Sequence, residues 1–290
     1  GSIVNIDSFS ELKQIALMGN NEQIKVGLRL NFDLERECPE ESAMGEEPSR
    51  FGFCLEKGDF EKALKICHNM NASVCGLHMH QSTKTRSANV FQTLAKKAVE
   101  CIRKFKLRDS LYYIDIGGGF FGGRNVVNKP TFEEYAKIIC KKLESEVCKG
   151  ETLLIIEPGA SLISTPISYV TKVISVKDVR DYRIVTVDGS LLHINPFLVK
   201  RQPLYKILSQ EENYIDRQII CGSTCMESDR LLNVKNSPEL KVGDVIEFEK
   251  CGSYTMCYNS CFINLPPAIY VKKGKKFKKI REAWKPEKLL

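Results

Sequence analysis

The feature that most constrains the fold is a rhythm. Through its first half the chain alternates short apolar runs with amphipathic stretches of helical period. Residues 3–6, 26–30, 74–80, 111–116 and 153–156 read as strands. Ser8 and Glu11 have capping-box spacing at the start of a helix. Asp59 stands where it can cap another, with Phe60, Ala63, Leu64 and Cys67 on one face. Val90, Leu94, Ala98, Ile102 and Phe105 form one stripe, and Thr131 with Glu134 opens a helix running to about Glu146. Continuous apolar strands separated by amphipathic helices imply a parallel sheet covered on its outer face. The all-apolar run 153–156, which ends at Glu157, is expected to be buried.

After about Ser164 the rhythm changes. Residues 169–175, 183–187, 217–221, 245–248 and 268–272 look like strands joined by turns, with few helical stripes. This half reads as a mostly antiparallel β domain. The expected domains are 1–165 and 166–290, with the boundary near 160–168. Five strands leave two architectures open, because a doubly wound sheet can stop there while a (β/α)8 barrel needs about eight strands and about 250 residues.

Composition excludes several classes. At 290 residues and 43% hydrophobic the chain can bury a full core. No run reaches the roughly 20 apolar residues that cross a bilayer, so no membrane partner is expected. Residues 1–7 carry no basic region leading into an apolar stretch, unlike a signal peptide. The net charge of +7 is localised between Lys272 and Lys288, where eight Lys and one Arg face two Glu. That tail reads as a solvated charge run, and no nucleic-acid recognition motif accompanies it. The twelve cysteines contain no C-x-x-C pair; Cys221/Cys225 and Cys257/Cys261 are spaced C-x3-C. Cys67, Cys75, Cys101 and Cys140 fall at apolar positions where a thiol acts as a small buried hydrophobe. A reduced, cytoplasmic protein is expected.

Chemistry concentrates in five places. Gly117-Gly118-Gly119 follows the strand Ile114-Asp115-Ile116, and its backbone N–H groups can approach a phosphate closely. Glu157-Pro158-Gly159 ends a strand, poised to hydrogen-bond a cationic ring nitrogen or a metal. His78 and His80 in Gly76-Leu77-His78-Met79-His80 project to one side of a strand. They could bind zinc, but neither His68 nor His193 sits in a motif that supplies a third ligand, so no metal site is expected. The fourth place is Cys221-Gly222-Ser223-Thr224-Cys225-Met226-Glu227-Ser228-Asp229. The fifth is Gly243-Asp244-Val245, followed by Cys251-Gly252-Ser253-Tyr254-Thr255 and Cys261-Phe262.

Taken together and in this order, these motifs resemble the fold-type III pyridoxal-phosphate-dependent decarboxylases that act on ornithine, lysine, arginine and diaminopimelate. The opening Val4-Asn5-Ile6-Asp7-Ser8, Leu28-Arg29-Leu30-Asn31, Arg50-Phe51-Gly52, Val187-Asp188-Gly189 and Pro203-Leu204-Tyr205 support the likeness, which runs from about residue 4 to about 264. The resemblance implies a (β/α)8-type barrel, represented here by about five strands, followed by the β domain. It implies pyridoxal 5'-phosphate as cofactor, an amino-acid substrate and a homodimer whose sites are completed across the interface. By the same likeness Gly117, Gly118, Gly119 and Tyr254 hold the cofactor phosphate, Glu157 pairs with the ring nitrogen and His80 stacks on the ring. Cys225 matches the partner-derived thiol near the carbon to be reprotonated. Asp188, Met226, Glu227 and Asp229 match the surroundings of the substrate.

Departures bear on the substrate. Ala160 and Ser161 follow Glu-Pro-Gly where the family usually has Arg, Gly222-Ser223 replaces Gly-Pro, and Met226 replaces an acidic residue. The strand of histidines ends His80-Gln81-Ser82-Thr83 in place of the usual histidine, any residue, Gly, Ser. The Tyr-Ala-x-Lys-Ala-Asn-like motif of the cofactor lysine is absent from these residues. It is expected in roughly a hundred residues before Gly1, which would supply the remaining strands. The competing expectation is a catalytically silent relative that dimerises with or regulates an active decarboxylase.

Overall fold

The computed structural model describes residues 3–18, 24–70, 72–122, 129–148, 150–198, 202–209 and 211–288. Gly1 and Ser2, part of the amino-terminal stretch read above, lie outside the described residues. The chain divides into two compact units, Gly1–Leu162 and Ile163–Leu290.

The first unit runs β1 (Asn5–Ile6), α1 (Phe9–Met18), β2 (Ile24–Asn31), α2 (Leu34–Glu37), β3 (Phe53–Cys54), α3 (Asp59–Asn69), β4 (Ala72–His78), α4 (Ala88–Phe105), β5 (Tyr113–Asp115), α5 (Phe132–Leu143), β6 (Leu153–Ile155) and α6 (Ala160–Ile163). Its sheet is parallel, ordered β1-β2-β4-β5-β6, with β3 paired to β2. The five strands expected from the apolar runs are the five on this path. Only the two-residue β3 escaped, being too short for a period to show.

Successive rows of the sheet alternate in character, as a period of two requires. One row is Asn5, Gly27, Gly76 and Tyr113. The Tyr113 ring lies over the two glycines and its hydroxyl donates to Asn5 Oδ1 at 2.6 Å. The next row, Ile6, Leu28, Leu77 and Ile114, is buried in the core with Val90, Leu94, Ala98 and Ile102 of α4. The row after that is Arg29, His78 and Asp115, back on the Tyr113 face and at the carboxyl ends of the strands. That alternation places polar groups at one end of the sheet.

Helix ends follow local chemistry. Thr131 and Glu134 close the expected capping box on α5. At α1 the Glu11 amide donates to Ser8 Oγ as expected, while the Glu11 carboxylate reaches the amide of Asp7. Two expectations on these helices fail. Gly58, with φ of 76°, is the cap of α3, and Asp59 is already in its first turn. Cys140 is exposed, because the buried stripe of α5 is Tyr135, Ile139 and Leu143, one residue away. The run at 153–156 is also not buried: Leu153 is 46% exposed and Leu154 40%. The reason is topological, since β6 is the edge of the sheet and pairs only with β5.

The second unit is β7 (Tyr169–Val179), β8 (Tyr182–Val187), β9 (Tyr205–Leu208), β10 (Tyr214–Cys221), β11 (Arg230–Pro238) and β12 (Val245–Phe248) in a sheet ordered β11-β10-β8-β7-β12-β9. Pairing is antiparallel except between β8 and β10. Its core holds Val173, Val185, Val187, Ile220, Leu232, Val234, Ile246 and Phe248. The basic tail is more than a charge run. It folds as a hairpin of β13 (Ile269–Lys273) and β14 (Lys276–Arg281), with Lys272 and Lys279 over the rings of Phe277 and Tyr270. No helix among the described residues is long and apolar enough to cross a membrane.

Candidate functional site

In the first unit the polar strand ends converge. The Glu157 amide donates to the Gly117 carbonyl at 2.9 Å, which carries the carboxylate beyond β6 towards the loop after β5. Glu157 Oε2 lies 3.0 Å from His80 Nδ1 and Oε1 lies 3.6 Å from His78 Nε2. Asp115 joins this group: a carboxylate oxygen of each acid and a nitrogen of His78 all lie within 4.8 Å of one another. Arg29 completes it, pairing with Asp7 at 3.3 Å and donating to the His80 carbonyl at 3.2 Å. Asp7 Oδ1 also accepts from the Gly52 amide, and the Phe51 ring lies 4.4 Å from the Arg29 guanidinium, so the Arg50-Phe51-Gly52 loop folds back on this corner.

The glycine loop is built by close approach. A Cβ on Gly117, whose φ is 73°, would lie 2.7 Å from His80 Cα, and one on Gly118 would lie 2.4 Å from the Glu157 carbonyl oxygen. Two of the three loop amides are engaged within the chain. Gly117 N–H donates to Asp115 Oδ1 at 2.9 Å and Gly118 N–H to His80 Nδ1 at 3.0 Å. The Gly119 amide has no partner among the described residues.

His80 Nδ1 therefore faces two claims. A neutral ring can accept from Gly118 there; a ring protonated on Nδ1 can donate to Glu157 instead. Both contacts are hydrogen bonds together only when Glu157 carries the proton. The arrangement holds Glu157 in place while leaving its own bonding unsaturated.

Burial sets the charges. Desolvation, with Arg29 adding to it, pushes the His78 imidazole down to about 4, so the ring is neutral near pH 7. Both ring nitrogens of His78 are buried without a hydrogen-bond partner. Asp115 is pushed up, first by burial and then by Glu157, against the pull of the Gly117 amide. Desolvation also lowers Arg29, opposed by Asp7 and Glu157.

The other expected residues lie in the second unit. Cys225 and Glu227 are exposed, and Met226 is half-buried, in the loop that follows β10. Asp229 is buried at 2% exposure. Its carboxylate accepts from Leu191 N, Ser190 Oγ, Thr224 N and Thr224 Oγ1, cinching the loop that presents Cys225. Glu227 pairs with Arg230 at 3.1 Å. Asp188 accepts from Thr171 Oγ1 at 2.5 Å and Lys172 N at 2.9 Å. Tyr254, with φ of 63°, packs edge-on against Phe197 at 5.0 Å.

Sequence reasoning assigned no role to Asp115 or Arg29, although both lie inside quoted motifs. A charged side chain between apolar neighbours at the end of a strand was the available signal.

Known proteins match this frame. Residues 2–164 match the pyridoxal binding domain of pyridoxal-dependent decarboxylases and residues 111–252 their C-terminal sheet domain. The diaminopimelate decarboxylase of Bacillus methanolicus is 28% identical over 94% of this chain and 66% of its own length. A probable chloroplastic diaminopimelate decarboxylase of Oryza sativa is 27% identical over 97% of this chain and 58% of its own length. The chain thus spans just under two thirds, or less, of these relatives. The crystal structure of the M. jannaschii diaminopimelate decarboxylase shares the fold, with a TM-score of 0.81 and 22% identity over 97% of this chain and 66% of that one. This chain belongs to the family of pyridoxal-dependent decarboxylases.

Proposed function

We propose that the chain serves the decarboxylation of an amino acid, of the diaminopimelate or ornithine kind or a modified one, with pyridoxal 5'-phosphate as cofactor. One observation carries the reading: Glu157, His80 and the glycine loop occupy neighbouring strand ends of one parallel sheet, in contact with one another. The residues fit the cofactor. A carboxylate braced by His80 and bonded to no lysine or arginine among the described residues suits a protonated ring nitrogen. A loop too close-packed for side chains at Gly117 and Gly118, with the Gly119 amide unclaimed among the described residues, suits a phosphate. When bound, this cofactor supplies an electron sink for the pair left behind as carbon dioxide departs.

The chain's own groups have distinct tasks in this reading. Glu157 keeps a proton on the ring nitrogen. His80 flanks the ring and steadies Glu157, and Tyr254 assists the phosphate. Cys225, at the tip of a loop fixed by Asp229, delivers a proton to carbon from a homodimer partner. In the complete protein, which would carry the cofactor lysine these residues lack, replacing Glu157 by Gln is expected to leave cofactor uptake, read by absorbance, while turnover falls on the order of a hundredfold. Near-normal turnover would remove Glu157 from this role.

Specificity follows from what the second unit withholds. Met226 offers no charge, Asp229 spends its carboxylate inside the chain and Glu227 pairs with Arg230. Neither Met226 nor Asp229 offers a free carboxylate to a distal ammonium group, and Glu227 does so only by giving up its surface pair with Arg230. Ornithine is therefore expected to be a poor substrate beside amino acids with a neutral or acylated distal end. A panel of amino acids assayed for carbon dioxide release checks this, and efficient ornithine turnover would contradict it.

A further inference from the structure

His78 has no task in the decarboxylation reading, yet it is the most constrained imidazole of the first unit. It is 7% exposed and both of its nitrogens lack hydrogen-bond partners. Leaving such a group unmatched is costly, because it loses its bonds to water and gains none in return. What it faces is acidic: Asp115 and Glu157 lie within 4.8 Å. The nearby guanidinium, Arg29, is already paired with Asp7 at 3.3 Å. One neutral imidazole and two carboxylates are a metal-ligand set. Sequence spacing hid it, because the second and third donors come from β5 and from beyond β6.

We propose that His78, Asp115 and Glu157 form a site for a divalent transition-metal ion, zinc by donor type, filled when the cofactor is absent. The spacing suits it. Two ligands about 2.1 Å from a tetrahedral zinc ion sit roughly 3.4 Å apart, and His78 Nε2 and Glu157 Oε1 are 3.6 Å apart. The supports are present as well: the Gly117 amide holds Asp115, and His80 holds Glu157. Such bonds from behind orient first ligands. Three protein donors leave one position for water. The site shares Glu157 with the proposed ring-nitrogen contact, so metal and cofactor exclude each other; only this exclusion rests on the proposed function.

Cobalt(II) titrated into the folded 290-residue chain is the test, because its visible spectrum reports the ligands. None of the twelve cysteines is in a disulfide, so thiols can compete for metal, but thiolate ligation adds an intense near-ultraviolet charge-transfer band that this site would lack. The expected result is one ion per chain, a visible band without that charge transfer, and affinity reduced at least about tenfold in His78→Gln and in Asp115→Asn. Zinc should also raise the thermal midpoint of the parent chain and not that of either variant. Because either substitution can lower stability, the parent spectrum alone is decisive: no binding, or binding only with thiolate charge transfer, overturns the proposal. His78→Gln should keep its uptake of pyridoxal 5'-phosphate, so loss of metal with retained cofactor separates this site from the cofactor reading. If instead the parent binds metal without thiolate charge transfer while the complete protein takes up no cofactor, the metal site stands and the functional reading falls.

Discussion

Gly76→Ala is expected to destabilise the first unit by about 4 kcal/mol, from overpacking of about 1–3 kcal/mol and the loss of a partly buried hydrogen bond that leaves the Tyr113 hydroxyl unmatched, of similar size. A Cβ at this position would lie 1.9 Å from Tyr113 Cζ and 2.3 Å from its hydroxyl oxygen. The ring cannot retreat within the row, because its hydroxyl is bonded to Asn5 and its edge also covers Gly27, where a Cβ would lie 2.1 Å from the same oxygen. The ring must leave, and the row Asn5, Gly27, Gly76 and Tyr113 loses its filling. The row beyond it on the same face carries Arg29, His78 and Asp115, so the strand ends that hold the site shift with it. Urea unfolding measures the effect. Gly76→Ala combined with Tyr113→Leu should cost clearly less than the sum of the single changes, since the second removes the atoms the first collides with. An unfolding midpoint for Gly76→Ala within error of the parent would show that the ring does not lie where it is placed here.

The same row shows what was legible in the sequence. The apolar runs and helical stripes marked the five main strands of the first unit and the helices between them, because each run is long enough to show its character. Pairing is not written in any one run. Gly76 reads as an ordinary strand glycine until the register sets it beside Tyr113, 37 residues on. Burial of a strand likewise depends on its neighbours. The run at 153–156 is as apolar as a central strand, and only the topology makes β6 an edge. In the second unit β9, β11 and β14 went unread because polar and apolar residues mix along them. The lysines of β14 masked the alternation that pairs it with β13.

The site divides in the same way. Glu157, His80 and Gly117–Gly119 were found because each stands in a local motif, and the structure brings them together. Asp229 stood in a motif too, but its motif says nothing of the four hydrogen bonds that consume its carboxylate. Asp115 and Arg29 needed the register, since what marks them is the company of His78 on adjacent strands.

Between pH 7 and pH 5 the folded chain is expected to lose about 2 kcal/mol of stability through His78 alone. Its imidazole stands at about 4 in the folded state, against 6.5 for an ordinary histidine. Between those values the unfolded chain binds a proton that the folded chain refuses, so acid favours unfolding. The stabilisation is complete above about pH 6.5 and is lost as pH falls towards 4, amounting to about 3 kcal/mol over the full window. His193 in the second unit is also pushed down by burial, where it meets the Tyr169 hydroxyl at 2.9 Å, and so acts in the same direction. Asp115 acts oppositely. Burial raises its value, so the folded state holds its proton more tightly and gains as pH falls through the raised value. Urea unfolding at pH 7, 6 and 5, with a chelator present to keep metal from His78, gives the slope. His78→Gln should flatten it, because a neutral amide cannot take up the proton. An unchanged slope in that variant would mean that His78 titrates as freely when folded as when unfolded, and that it is not buried against Arg29 as described.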